Sequence, residues 1–274
     1  MLLLLALTAL APAARARDFV YGVVPETDQL FHRLLADPRQ PQTSIRYYRL
    51  RGLNMMDVSL GNTWGAARWR AAGTGGNDWF FQFNVSGMGY SRFHVTGGVN
   101  EFQTIDFFAE FPLEVRHGPF AAQATPFHES SHLGDDYIRR TSDTGFRYSA
   151  EGVRVILSYD LGPYVRVYGG GLGYLHDIPR GQDGAAQYGL ELRTAQLDWI
   201  KTHECWLYLA QDFQNQGRSD WNLDSNTQLG LRMGVPKVVR DLRFHVDHFD
   251  GRSQFGQFTR DHESSWDAGV TFDF

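Results

Sequence analysis

Along residues 103–116, Ile105, Phe107, Ala109, Phe111, Leu113 and Val115 take every second position, and Asp106, Glu110, Glu114 and Arg116 stand among the positions between. A strand sends successive side chains to opposite faces, so this stretch carries one apolar and one charged face. The period recurs at 227–235, where Leu229, Leu231, Met233 and Val235 alternate with Gln228, Gly230, Arg232 and Gly234. It recurs again at the end, where Trp266, Ala268, Val270, Phe272 and Phe274 alternate with Asp267, Gly269, Thr271 and Asp273. Such a chain builds sheets with two unlike faces. A soluble sandwich would satisfy the pattern as well as a membrane barrel would.

Three further features select the barrel. Residues 1–16 read as a secretory signal: Leu2–Leu10 is apolar but too short to span, and Ala14-Arg15-Ala16 fits a small-x-small cleavage site. The last strand ends in Phe274, which resembles the C-terminal signature of bacterial outer-membrane barrels and implies the barrel-assembly machinery as a partner. The connections also alternate in length. His117-Gly118-Pro119 and Leu161-Gly162-Pro163 are tight turns, 197–203 and 235–240 are fairly short, and 131–150, 176–185, 214–224 and 250–264 are longer polar loops. Short periplasmic turns with longer outer loops are the barrel pattern.

Composition excludes some other classes. No run of 18 apolar residues follows the N-terminus, so no internal transmembrane helix is expected. The negative mean hydropathy is compatible with a membrane barrel, because barrel strands alternate. A formal net charge of −5 argues against nucleic acid as a partner. Cys205 is the single cysteine, so neither an intrachain disulfide nor a cysteine zinc cluster can form.

Turn parity then sets the topology. With the turn at 117–119 in the periplasm, 120–130 runs outward and 151–160 returns. Counting both ways gives an all-β fold, a single antiparallel transmembrane barrel of twelve strands over 44–274, with both termini periplasmic. Ten is the alternative count, since the first hairpin, placed around Gly61-Asn62, carries the weakest pattern. Residues 17–43 are expected as a periplasmic lead-in, with an amphipathic helical turn or two at Leu30, Phe31, Leu34 and Leu35 that Asp37-Pro38-Arg39-Gln40-Pro41 breaks. The protein is expected in the bacterial outer membrane.

The chemistry-bearing stretch is Phe-His-Glu-Ser-Ser-His-Leu-Gly-Asp-Asp-Tyr, 127–137. On 120–130 the even positions are the more apolar, so His128 and Ser130 face lipid near the outer rim. Glu151 shares the outward parity of Val153, Val155, Leu157 and Tyr159 on the return strand. A serine hydroxyl needs a base, and the base needs an orienting carboxylate. Ser130 as nucleophile, His128 as base and Glu151 as carboxylate would make a lipid acyl hydrolase. The set is similar to that of two families of outer-membrane acyl hydrolases, the lipid A 3-O-deacylases and outer-membrane phospholipase A, which carry His-x-Ser on the outside of a barrel. There Asn-Gly follows the serine; here Ser131-His132 does.

The same stretch spells His-Glu-x-x-His, a zinc pattern when it lies on a helix. On a strand, His128 and His132 would stand about 13 Å apart, too far to share a metal. Asp135 and Asp136 offer hard oxygen ligands for calcium. His245 and Asp247 have luminal parity, His248 and Asp250 outward parity, so these four do not form one site.

Ala36-Asp37-Pro38-Arg39, His128 to Asp136, Tyr168-Gly-Gly-Gly-Leu-Gly-Tyr174 and Phe249 to Phe258 together resemble the bacterial family catalogued as domain of unknown function twelve-oh-seven. That family is similar to outer-membrane barrels, and the resemblance implies the fold without an activity. The competing reading is a non-enzymatic barrel, either a narrow channel with cation preference set by Asp106, Glu110 and Glu114 or a surface and structural scaffold. Outer-membrane lipids or lipopolysaccharide are the expected contacts in either case.

Overall fold

The computed structural model describes residues 19–21, 29–73, 77–180, 184–197, 204–235 and 239–273. The expected signal at 1–16 and the terminal Phe274 lie outside them. A short strand, β1 (Phe19–Tyr21), pairs with one end of β3. The barrel wall is β2 (Thr43–Leu50), β3 (Leu53–Ala71), β4 (Trp79–His94), β5 (Glu101–Glu110) with β6 (Leu113–His117), β7 (Phe120–Leu133), β8 (Tyr148–Asp160), β9 (Val165–Ile178), β10 (Ala185–Arg193), β11 (Cys205–Gln216), β12 (Leu223–Val235), β13 (Val239–Arg252) and β14 (His262–Asp273). Each strand pairs antiparallel with its neighbours, and β14 pairs back onto β2 (Val270 opposite Ile45), which closes the sheet. Strands β5 and β6 are one wall strand interrupted at Phe111-Pro112. Both pair with β4 and β7, and Pro112 has no N–H to give the ladder. The wall therefore has twelve strands, and the ten-strand alternative falls.

The first hairpin turns at Arg51-Gly52, not at Gly61-Asn62. Arg51 and Gly52 both have positive φ (51° and 84°), the geometry that matches strand twist in a two-residue hairpin. Gly61 lies inside β3, where a Cβ would come within 2.8 Å of Met88. It is glycine for close approach, not for a turn.

Burial is inverted relative to a soluble domain. Leu229, Leu157 and Val155 on the outer face are 57, 47 and 44 % exposed, while Asp106, Asn84 and Asp247 inside are 0 % exposed. The wide apolar surface is what a barrel presents to lipid. The long loops share one rim with the 51–52 hairpin, and the tight turns share the other. The strand ends run further into the loops than their composition suggests: β7 continues to Leu133 and β9 to Ile178.

The lumen is occupied by the chain itself. Residues 29–42, expected as a lead-in ahead of the barrel, are packed inside it, and they form turns and bends without a helix. Phe31 and Leu34 bury against Ala121, Ile156 and Tyr168, and Ala36 against Tyr208 and Ala210. Wall side chains satisfy the segment's backbone, as buried peptide groups require. Glu114 accepts from Phe31 N–H (3.1 Å), Glu191 from Leu35 N–H (2.7 Å), and Asn226 donates to Ala36 O (2.8 Å). At the apex, Asp37 pairs with Arg154 (3.4 Å), and Arg39 pairs with Asp106 (3.0 Å) and Glu129 (2.9 Å). Periodicity could not reveal this, because the partners are scattered over the whole chain.

From the opposite rim, the β13–β14 loop folds inward. Phe255 stacks on Tyr90 (centroids 4.5 Å apart), and Gly256 N–H donates to Asp106 Oδ2 (3.0 Å). One carboxylate oxygen thus holds both the inner segment and the loop. The acids read as a pore lining, Asp106, Glu110 and Glu114, are committed to Arg39, Arg154 and Phe31 N–H instead. A cavity of about 440 Å³ remains at the short-turn end and one of about 90 Å³ midway.

Replacing Arg39 tests this arrangement. Arg39→Ala leaves two buried carboxylates without their cation, at an expected cost of about 3–5 kcal/mol. Urea unfolding of the detergent-refolded barrel would show it as an earlier transition. Adding Asp106→Asn and Glu129→Gln to that variant is expected to recover part of the loss.

Candidate functional site on the outer face of the rim

Three adjacent strands assemble one polar cluster. In the register of β7, β8 and β9, His128 stands opposite Glu151 and Glu151 opposite His176; one step nearer the loops, Ser130 stands opposite Ser149. His128 and Ser130 share the outward parity of β7, and the residues between and beside them, Glu129 and Ser131, are buried in the lumen. The side chains of His128, Glu151 and His176 are 49, 36 and 56 % exposed. Below the cluster on the same face lie Pro126, Val153, Val155 and Leu157, an apolar surface.

Glu151 is held from three sides. Its Oε1 lies 2.7 Å from His128 Nδ1 and 3.2 Å from Ser149 Oγ, and its Oε2 lies 2.6 Å from His176 Nδ1. An ionised carboxylate only accepts, so each Nδ1 carries its proton toward Glu151. In neutral imidazole that leaves Nε2 of His128 as a free acceptor, the tautomer a general base needs. Ser130 lies two residues along the same face, about 7 Å by strand rise. No hydrogen bond joins its hydroxyl to His128 among the described residues; side-chain rotation must close that step. Catalytic contacts are often loose before substrate binds.

His176 and Ser149 are the members that composition did not suggest. His176 was expected in a loop, and strict alternation along β9 would turn it into the lumen. A bulge intervenes: Glu151 faces His176 while the next residue, Gly152, faces Tyr174, so Leu175 is extra. A bulge re-aims side chains, and here it turns His176 outward and leaves Leu175 81 % exposed.

The zinc reading does not survive. Residues 127–133 are strand, so His128 and His132 are not brought together, and Glu129 points inward to Arg39. His132 is exposed, its ring tilted against Phe107 at 6.3 Å. Asp135 and Asp136 open a short helix, α1 (Asp135–Thr141). Asp136 accepts from Phe102 N–H (3.1 Å) and pairs with Arg139. That backbone donor first, then the guanidinium, hold its carboxyl below the usual range. Among the described residues, no group of three or more His, Cys, Asp or Glu, the rim cluster included, is arranged to hold a metal ion.

A second relay is sealed inside the wall. His245 Nδ1 lies 2.5 Å from Asp247 and its Nε2 3.0 Å from Thr271 Oγ1, with the His245 and Asp247 side chains 2 and 0 % exposed. It has the composition of a triad without access. The rim cluster has access.

Comparison with solved structures places the fold among outer-membrane barrels. The outer membrane phospholipase A from Escherichia coli superposes with a TM-score of 0.53 at 11 % identity, covering 86 % of this chain and 93 % of that one. A Salmonella typhi outer membrane phospholipase dimer with bound calcium gives 0.53 and 11 %, covering 86 % and 94 %. The KdgM porin gives 0.43 and 10 %, covering 85 % and 99 %. At these identities the likeness is one of fold. No curated protein matches the chain. Residues 6–274 match the family described as protein of unknown function (DUF1207), and the chain belongs to that family.

Proposed function

We propose that this barrel resides in the bacterial outer membrane and hydrolyses an acyl ester of an outer-leaflet lipid. The observation that carries the reading is the 2.7 Å hydrogen bond from His128 Nδ1 to Glu151 on the lipid-facing side of the rim, with Ser130 on the same face of β7. In the reaction, His128 Nε2 takes the Ser130 proton as Oγ attacks the ester carbonyl. The alcohol leaves with that proton, and water then releases the fatty acid from the acyl-serine. Glu151 holds the imidazole and meets its positive charge. The two structures superposing at a TM-score of 0.53 are called phospholipases, which agrees with a hydrolase on this fold but does not assign one.

The rim carrying the long loops is taken as extracellular, which sets the cluster at the height of phospholipid and lipopolysaccharide headgroups and both barrel termini in the periplasm. The strand that ends at Phe274 is taken as the signal to the barrel-assembly machinery. Should lipid turnover be absent, a scaffold is favoured over a channel, because the luminal acids already hold residues 29–42 and the β13–β14 loop.

Mass spectrometry of phospholipids and lipid A after incubation with detergent-refolded protein tests the reading, with and without calcium. Loss of one acyl chain is expected, and Ser130→Ala or His128→Ala is expected to lower it by at least about 10³-fold. Calcium dependence would bring Asp135 and Asp136 into play as ligands. Intact lipid under both conditions, with the barrel shown to be folded, would contradict the proposal.

A further inference from the structure

We infer that His176, brought opposite Glu151 by the bulge at Leu175, is a positioning residue for that carboxylate. The inference rests on the hydrolase reading and concerns a residue outside the Ser130–His128–Glu151 set. A glutamate side chain on an exposed face has three free torsions, and immobilising it costs side-chain entropy. A carboxylate that rotates freely would present neither oxygen to His128 for long. In this barrel Oε2 is taken by His176 Nδ1 at 2.6 Å, and Oε1 is shared by His128 Nδ1 and the Ser149 hydroxyl. Fixing Oε2 from β9 leaves Oε1 one orientation, toward β7.

The two histidines are alike in their bond to Glu151 and unlike in everything else. His128 has Ser130 at i+2 on its own face. His176 has Ile178 at i+2, and Tyr174 at i−2 lies against Phe127, whose ring centroid is 6.2 Å away. The hydroxyl diagonal to His176, that of Ser149, is already donating to Glu151. Among the described residues His176 therefore has no free nucleophile to activate, and its contribution passes through the carboxylate. The backbone is arranged to the same end: were Leu175 paired regularly opposite Glu151, His176 would alternate inward and Glu151 would keep only two of its three donors.

The test uses the full-length barrel refolded in detergent and a phospholipid substrate, comparing His176→Ala, His176→Phe and His176→Asn with the native protein. Asparagine places an amide N–H one bond beyond Cγ, as histidine places Nδ1–H, so it can still donate to Oε2; phenylalanine keeps the bulk and loses the donor. Alanine and phenylalanine are expected to lower kcat by about 10- to 100-fold, the usual loss when the partner that orients a working side chain is removed. KM is expected to stay within about twofold, and asparagine to restore most of kcat. Heat-dependent gel migration reports folding of each variant, and the phenylalanine–asparagine contrast isolates the hydrogen bond from packing. Native-like kcat in His176→Phe would overturn the inference while leaving the hydrolase reading intact. A rise in KM with unchanged kcat would also overturn it, since that marks a lipid contact. A native barrel without turnover would remove the hydrolase reading and this inference together.

Discussion

Asp106 is the point on which the interior turns. It is fully enclosed, and a carboxylate in that position needs a cation and hydrogen-bond donors to offset lost hydration. Arg39 supplies the charge from the segment that enters at the short-turn end, and Gly256 N–H supplies a donor from the loop that enters at the other. Those elements are 217 positions apart by number (256 minus 39), and Tyr90 joins them a second time, with Phe255 stacked on its ring and the Arg39 guanidinium 5.3 Å from its centre. Their meeting at one side chain is what makes the lumen a filled core. A barrel with a polar inner face can be solvated or can be packed with polar partners; here the arginines, carboxylates and amides of the wall take the second course.

A filled interior moves chemistry to the outside. The wall offers three faces for function: lumen, lipid surface and rims. The lumen holds a carboxylate–imidazole–hydroxyl set at Asp247, His245 and Thr271, but the set is closed off. At the rim the same three chemical types recur with room around them. There the strands are still paired, so register fixes His128 against Glu151, while the headgroup region tolerates charge that the hydrocarbon below would not. The bulge at Leu175 departs from regular pairing beside this cluster, and it changes which residue reaches Glu151.

Much of this was legible in the residues. Period two at 103–116 and 266–274 gave strands and faces, and turn spacing gave twelve of them. Apolar parity put His128 and Glu151 on one outward face, because the even positions of 120–130 are the more apolar and Glu151 shares the parity of Val153, Val155, Leu157 and Tyr159. Three things were hidden. Residues 29–42 carry no period, since their partners are wall side chains such as Glu114 and Glu191, 83 and 156 positions away. Asp37 and Arg39 find their partners, Arg154, Asp106 and Glu129, only once the barrel closes around them. The first hairpin was displaced because Gly61-Asn62 imitates a turn, while Arg51-Gly52 needs a positive φ at a non-glycine residue. His176 was concealed because one inserted residue reverses parity, and nothing in Gly173-Tyr174-Leu175-His176 signals the insertion.

The central claim is that Ser130 is a nucleophile activated on the lipid-facing side. Covalent trapping addresses that directly and needs no knowledge of the natural lipid. The refolded barrel would be treated with a fluorophosphonate carrying an alkyl chain, digested and mapped by tandem mass spectrometry. On this proposal one phosphonylated serine is expected, Ser130, with labelling lost in His128→Ala. Labelling spread over exposed serines and unaffected by His128→Ala, or a folded barrel that takes no label, would contradict it.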